Sequence, residues 1–472
     1  MAHIAVIGGG MAGTATALFL ARAGHRVTVC EQDGRTVSGQ VDADFFGWRR
    51  PRVPQAVQPH ALLGPARAVL AAEAPDVYAR LRGLGAWEQH EFDWFTERPP
   101  HRDGDEHLVL VRTRRILLET ALRASLREEG GVRLLQGARV RGLLARQAPH
   151  GVPRVTGVRL DDGQVEADLV VDAGGRRSPV GRWLAPLGAP GPERERHRVG
   201  LAYACRWYRL SPGTRPPDRA PYTSAAPYAL SIAFPSDNGL LGVALVCTTA
   251  DPTLPALNDP HVFDGLARSF PSSGAWLGRG TRPVGAVHLM AGLDNQWTPT
   301  ADGSRPVVTG LVRAGDALVH TNPTLTQGVT LALWAAQRIA ATAGTATDHR
   351  AFAHDYARWA RQTLKPWFDL QVSADRDNET RLSGTGTPPA GLEQRLRAAR
   401  FPCALEDPVV MRAWARARHM LATPDQAFGT DEVRRRLTRW LAARSGALPG
   451  PAGPSRQEWE RIVGDGARAG DR

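Results

Sequence analysis

The first thirty-one residues constrain the fold more than any other stretch. "HIAVIG", residues 3–8, is a short apolar run of buried-strand type, and "GGGMAGTATALFLARAGH" then changes to helical periodicity with small residues at the turn. Gly8, Gly10 and Gly13 stand between the two in the spacing G-x-G-x-x-G. In that spacing the first glycine permits the tight turn, the second lets backbone approach a diphosphate, and the third lets helix meet strand. The helix start, here Met11 and Ala12, aims its N–H groups at the phosphate charge. "RVTVCE" is a second strand ending in Glu31, an acid placed to accept hydrogen bonds from a ribose. A glycine triplet alone is a weak signal. Strand, loop, helix, strand and acid together predict an α/β, Rossmann-like unit with a parallel sheet, holding an adenine dinucleotide of the FAD or NAD kind rather than NADP.

A chain of 472 residues exceeds one compact core, so two or three lobes around a shared ligand are expected. No run approaches the ~20 apolar residues of a spanning helix. The amino terminus enters a strand without a signal-peptide pattern, so the expectation is a cytoplasmic protein with no membrane span. Cys30, Cys205, Cys247 and Cys403 are far apart and form no C-x-x-C pair, which argues for buried small side chains rather than zinc or disulfides. The net charge of +12 is spread along the chain, with Lys365 the single lysine, and no dense basic run or RNA-binding motif accompanies it. That balance suits anionic ligands in general, or an acidic carrier protein, and not nucleic acid.

Further along, residues 35–60 read as a long functional segment, followed by a helix at about 61–83. Strand, helix and strand follow over 107–146, and residues 155–171 read as a hairpin about Asp162-Gly163 with a buried strand returning to the nucleotide sheet. Alternating short strands from 196 to 290 predict an inserted antiparallel-sheet substrate domain. The expected division is 1–195 for the first part of the cofactor domain, with a substrate-domain segment near 60–110 interleaved. Residues 196–305 are the sheet domain, 306–345 the last part of the cofactor domain, 346–445 a helical C-terminal region, and 446–472 a Pro- and Gly-rich tail expected to fray.

Three stretches, the glycine loop, "VVDAGGRRSP" at 170–179 and "GDALVHTNPTLTQG" at 315–328, together resemble the FAD-dependent aromatic hydroxylase and epoxidase superfamily, the p-hydroxybenzoate hydroxylase fold, over roughly residues 1–380. "RRPRVPQAVQPHALL" is similar to the matching segment of actinobacterial epoxidase-like monooxygenases of specialised metabolism. The resemblance implies that Asp316 bonds the ribityl and diphosphate region of FAD. It implies too that the helix after Pro323 aims the N–H groups of Gly328 and Val329 at the flavin, and that Arg115 of "RILLE" contacts the cofactor. It further implies oxygen transfer from a flavin C4a-hydroperoxide to a hydrophobic aromatic or polyene small molecule. An isoprenoid-type flavin reductase and a non-catalytic flavin-binding protein are the rival readings.

Two positions depart from the family pattern. Thr326 stands where a glycine is usual, and Asp172-Ala173-Gly174-Gly175 replaces G-A-D-G, moving the acid that helps hold NADPH. Reducing equivalents are therefore expected either from NAD(P)H docking directly or from a partner flavin reductase. Halogenases of this fold use a pocket lysine and a W-x-W-x-I-P signature, which this sequence lacks. His60 is the candidate base for an acidic substrate proton. In "YACRWYR", Tyr203, Cys205, Trp207 and Arg209 share one strand face and Arg206 and Tyr208 the other, making Tyr203, Arg206 and Trp207 candidate substrate residues. Arg50 and Arg52 are candidates for the neighbourhood of flavin or substrate. "HRDGDEH" at 101–107 has ligand residue types without a ligand spacing and reads as a solvated, charged turn between strands, so no metal is expected.

Overall fold

The computed structural model describes residues 1–472 apart from 148–150, 190–193, 215–221, 304, 346–347, 386–388, 390, 451 and 471–472. The chain begins with β1 (His3–Ile7), α1 (Met11–Arg22) and β2 (Arg26–Glu31), and continues through α2 (Arg115–Glu128), β3 (Val132–Gln136) and β4 (Leu169–Asp172). An insertion follows: β5 (Leu201–Arg209), β6 (Thr223–Ala226), β7 (Ala229–Pro235), β8 (Leu240–Thr248), α3 (Pro260–Ser269), α4 (Pro271–Leu277) and β9 (Arg282–Ala291). The chain then returns as β10 (Leu311–Arg313) and α5 (Gly328–Thr342). It ends in α6 (His349–Thr363), α7 (Lys365–Leu382), α8 (Leu392–Ala404), α9 (Pro408–Arg418), α10 (Asp431–Ala442) and α11 (Arg456–Gly470).

Five parallel strands in the order β10-β4-β1-β2-β3 form the central sheet. Their residues are near-continuous apolar runs because both faces are covered. On one side lie α1, α2 and α5, with Leu18, Leu122 and Leu333 in a shared core. On the other lies a three-stranded meander of residues 140–146, 154–160 and 164–166, whose Val155 and Val158 meet Val170 and Leu311. The hairpin at Asp162-Gly163 and the returning strand β4 form as the sequence predicts.

The insertion is an antiparallel sheet in the order β6-β7-β8-β5-β9. A small sheet of residues 61–62, 87–90 and 109–112 leans on it, with Trp87 Nε1 donating to Ser236 O at 3.0 Å and Gln89 Nε2 to Tyr222 OH at 2.8 Å. Arg114, fully buried, joins the two lobes: its guanidinium donates to Asp237 at 2.6 and 2.9 Å and to Asp42 at 2.7 Å. No described helix is long and apolar enough to cross a membrane.

Three expectations change. The helix at 61–83 is two helices, Gly64–Glu73 and Pro75–Gly83, because Pro75 pushes Ala74 out of the helical region. "HRDGDEH" is a turn whose buried Asp105 accepts from Arg412 of α9 at 2.7 and 2.8 Å. The tail does not fray as a whole. Its Trp459, Ile462 and Val463 lie on one face of α11, and Trp459 fills the space between Phe270 and Tyr228, donating to Thr253 Oγ1 at 2.9 Å.

Candidate functional site

The carboxyl ends of β1, β4 and β10 open onto a groove of about 590 Å3, the usual ligand position in such a sheet. Gly8, Gly10, Met11, Ala12, Glu31, Arg115 and Asp316 all line it. The glycines differ in what they face. Gly8 has φ +94°, and a Cβ there would lie 2.6 Å from Ala173 O; a Cβ on Gly13 would lie 1.9 Å from Gly8 O. Gly10, by contrast, has nothing within 4 Å of a Cβ position. Helix α1 has no side-chain cap, so its first N–H groups are free to meet an anion.

Along one wall, α2 carries Arg115, Glu119 and Arg123 four residues apart, hence on one helix face. Arg115 Nε donates to Glu119 at 2.6 Å and Arg50 pairs with the same carboxylate. Burial alone would raise the Glu119 carboxyl, but Arg115 and Arg50 hold it at about 2. Arg50 also lies 4.5 Å over the Trp48 ring. Arg123 is buried, donates through Nη2 to Gly9 O, and leaves Nη1 without a partner. Glu31 accepts from Gly9 N at 2.6 Å and Asp33 N at 2.7 Å, so it braces the loop as well as facing the groove.

At the opposite end stands Asp316. Burial would raise its carboxyl, yet His320, Arg115 and Arg176 outweigh burial and hold it below the usual range. His320 Nδ1 lies 3.2 Å from Asp316, but neither ring nitrogen has a hydrogen bond, although the ring is buried and lines the groove. Gln327 Oε1 and Thr330 Oγ1 at the start of α5 are likewise buried without partners. Buried polar atoms are rarely left so; His320 lines the groove, where a ligand with a polar edge would meet it, whereas Gln327 and Thr330 lie outside the lining. Asp172 turns inward instead. It accepts from Ser178 Oγ at 2.8 Å and Gly174 N at 3.0 Å, and burial raises its pKa despite the nearby Arg313.

Not every expected residue reaches the groove. Pro323, Gly328 and Val329 are absent from its lining; Val329 packs into the core and Ala332, one turn on, meets the wall. Thr326 adopts the left-handed conformation, φ 62°, that a glycine would hold without strain. Tyr203 is brought close to this segment, its OH donating to Asn322 Oδ1 at 2.9 Å. Asn322 in turn donates to Asp375 of α7 at 2.8 Å; Asp375 also accepts from Asn295, Thr324 and Gln371 at 2.8, 2.8 and 2.9 Å.

Trp207 faces the cofactor lobe too, but as core: Nε1 donates to Val57 O at 2.8 Å and the ring meets Phe45 edge-on. Arg206 points the other way. It lies on the face covered by α3, 2.6 Å from Asp264, on the side of β5 away from Tyr203 and Trp207. His60 hydrogen-bonds Gln58 O through Nδ1 at 2.8 Å. Burial and the charge of Arg115 pull its pKa down to about 4. It is therefore neutral at pH 7, with Nε2 left as an acceptor. Arg50 and Arg52 both line the groove. His320, Glu119 and Arg123 were not singled out from sequence; the four-residue spacing on α2 is the signal that points to the latter two.

This set fits FAD: an uncapped helix start beside a glycine with open space, three arginines for a diphosphate, two acids for hydroxyls, and the ring nitrogens of His320, without hydrogen bonds, for a polar edge. Residues 3–93 match the family model described as FAD dependent oxidoreductase. Among curated proteins, Rv3254 of Mycobacterium tuberculosis is 27% identical over 198 residues, a match spanning 38% of this chain and 39% of that protein. PqsL of P. aeruginosa, solved with 2-aminobenzoylacetate, shares 16% identity with a TM-score of 0.58 over 81% of this chain and 98% of its own. The myxobacterial chondrochloren halogenase CndH shares 19% with a TM-score of 0.58 over 97% and 99%. Residues 3–93 thus match the FAD-dependent oxidoreductases, and the chain as a whole has a fold shared with solved FAD-dependent monooxygenases and halogenases.

Proposed function

We propose that this protein is an FAD-dependent monooxygenase that hydroxylates or epoxidises a hydrophobic aromatic or polyene small molecule. The observation that carries the reading is the join between the lobes. Tyr203 ties the β5 face of the inserted sheet to Asn322, in the loop that opens α5, and its neighbours on that face, Leu230, Val246 and Met290, are apolar. These residues pack with Leu382 of α7, and in this reading that apolar face is the side from which a hydrophobic substrate is held and water kept out.

Bound FAD supplies electron storage and, when reduced, reaction with O2. The chain's own residues do the rest. Arg50, Arg115 and Arg123 neutralise the diphosphate, Asp316 accepts hydroxyl hydrogen bonds, and His320 offers a ring nitrogen at the same end of the groove. His60 Nε2 accepts a substrate proton in a hydrogen bond; with a pKa near 4 it orients a hydroxyl rather than removing its proton fully. Asp172 is engaged in its own loop, which favours a partner flavin reductase, or NAD(P)H docking only transiently, as the source of electrons. Lys365, the residue type halogenases need in their pocket, is held by Asp369 at 2.6 Å and Glu195 at 3.1 Å, which favours oxygen insertion over halogenation.

The test is to reduce the FAD-loaded protein without oxygen, with NADPH and separately with light, and then mix it with O2 while recording spectra. A species absorbing between the reduced and oxidised flavin spectra, followed by labelled oxygen in the product, supports the reading. Direct return to oxidised flavin in one phase points to an isoprenoid-type reductase, and failure to hold FAD removes the proposal.

A further inference from the structure

A second pocket, of about 600 Å3, shares Gly175 and Arg176 with the FAD groove and then runs away from it beneath the loop of residues 175–182. Six arginines line it, Arg176, Arg177, Arg182, Arg194, Arg196 and Arg313, and among the described residues no acid does. Two have a carboxylate behind them: Arg196 lies 2.6 Å from Asp294, and Arg313 3.6 Å from Asp172. Among the described residues, Arg177, Arg182 and Arg194 have no carboxylate within ion-pair distance.

Arg313 is the telling member. It is 2% exposed, donates through Nη1 to Thr298 O at 3.3 Å, and holds its buried Nε 3.6 Å from Asp172, within ion-pair reach but with no hydrogen bond made. A buried guanidinium with an unused donor costs free energy unless an acceptor arrives. Crowding adds to this cost: burial and then Arg177 depress the pKa of Arg176, and Arg194 adds to burial at Arg313. Guanidinium groups bind phosphate through paired N–H donors, so an oxyanion turns the repulsion into attraction.

We propose that this pocket is a second anion site, which takes a phosphate or diphosphate group of a soluble nucleotide ligand while the neighbouring groove holds FAD. The phosphate comes either from a ribose 2′-phosphate, as on a nicotinamide dinucleotide, or from a 3′-phosphate, as on a thioester-carrying nucleotide. The inference stands apart from the oxygen-insertion reading, because binding is read without turnover.

The experiment is calorimetric titration of the FAD-saturated full chain with inorganic pyrophosphate, then with adenosine 2′,5′-bisphosphate and adenosine 3′,5′-bisphosphate. The comparison is Arg177→Gln/Arg182→Gln, whose two arginines are exposed and outside the FAD groove. Saturable pyrophosphate binding that leaves FAD in place and weakens at least tenfold in the variant, with an unchanged flavin spectrum, is the expected result. The tighter bisphosphate then identifies the source, and equal binding supports a site that reads phosphate alone. No binding, equal affinity in the variant, or release of FAD on titration overturns the proposal.

Discussion

Gly10 and Gly13 sit three residues apart and answer to different neighbours. A methyl on Gly13 would collide with Gly8 O, whereas one on Gly10 meets only the open groove. Gly13→Ala should therefore yield little folded, flavin-bearing protein. Gly10→Ala should keep its melting temperature within a few degrees yet bind FAD at least tenfold more weakly, read by flavin fluorescence. If both variants bind FAD normally, the glycine turn serves packing alone. His60 gives a second expectation at this scale. Its folded pKa, about 4, lies below the free value of 6.5 because burial and Arg115 disfavour the charged ring. Stability from the neutral ring is complete above the free value and is lost as the pH falls towards 4. Between pH 7 and 4 the wild type should lose about 3 kcal/mol more than His60→Gln in urea denaturation; parallel losses would show that His60 is not the group responsible.

The elements most important to the site are held by parts of the chain remote in sequence. Four donors converge on Asp375 of α7, which thereby anchors Asn322 and Thr324 ahead of α5. Asp375→Ala strands those donors in the interior and should cost about 3 kcal/mol or more, with FAD affinity falling too; an unchanged flavin content in the folded variant would separate the anchor from the cofactor. Helix α11 behaves in the opposite way. Trp459→Ala empties a fully buried site in the inserted sheet and should cost about 3–5 kcal/mol while leaving FAD affinity as it is, checked by denaturation and flavin titration. These cases also show what was legible in the sequence. The glycine loop, the hairpin at Asp162-Gly163 and the two faces of β5 are local patterns, and local patterns were read. Which face of β5 looks to the cofactor depends on α3, α4 and α11 covering the other, a long-range fact that alternation alone does not carry, so the pattern does not separate Arg206 from Tyr203 and Trp207. The tail was judged by its prolines and glycines, while Trp459, Ile462 and Val463 already carried helical spacing.

For the whole molecule, the join between lobes is the decisive arrangement. Arg114 is fully buried and binds Asp237 of the sheet lobe and Asp42 of the cofactor lobe. Arg114→Ala leaves the buried Asp237 without its cation. Breaking such a pair typically costs about 3–5 kcal/mol, and the variant should lose flavin as it melts, followed by calorimetry together with flavin release. An unchanged melting temperature would mean that the lobes do not depend on this bridge. The clamp on the loop before α5 has a further consequence, one of timing. The cofactor groove is lined by residues near the amino terminus, by Arg115 to Arg123 of α2 and by the segment after β10, and the loop that follows His320 has Asp375 as its anchor. A ribosome making this chain exposes the glycine loop early and the anchor much later, so the growing chain carries an unfinished cradle through most of its synthesis. On this order of events flavin capture belongs to the end of biosynthesis, after residue 375 has left the exit tunnel.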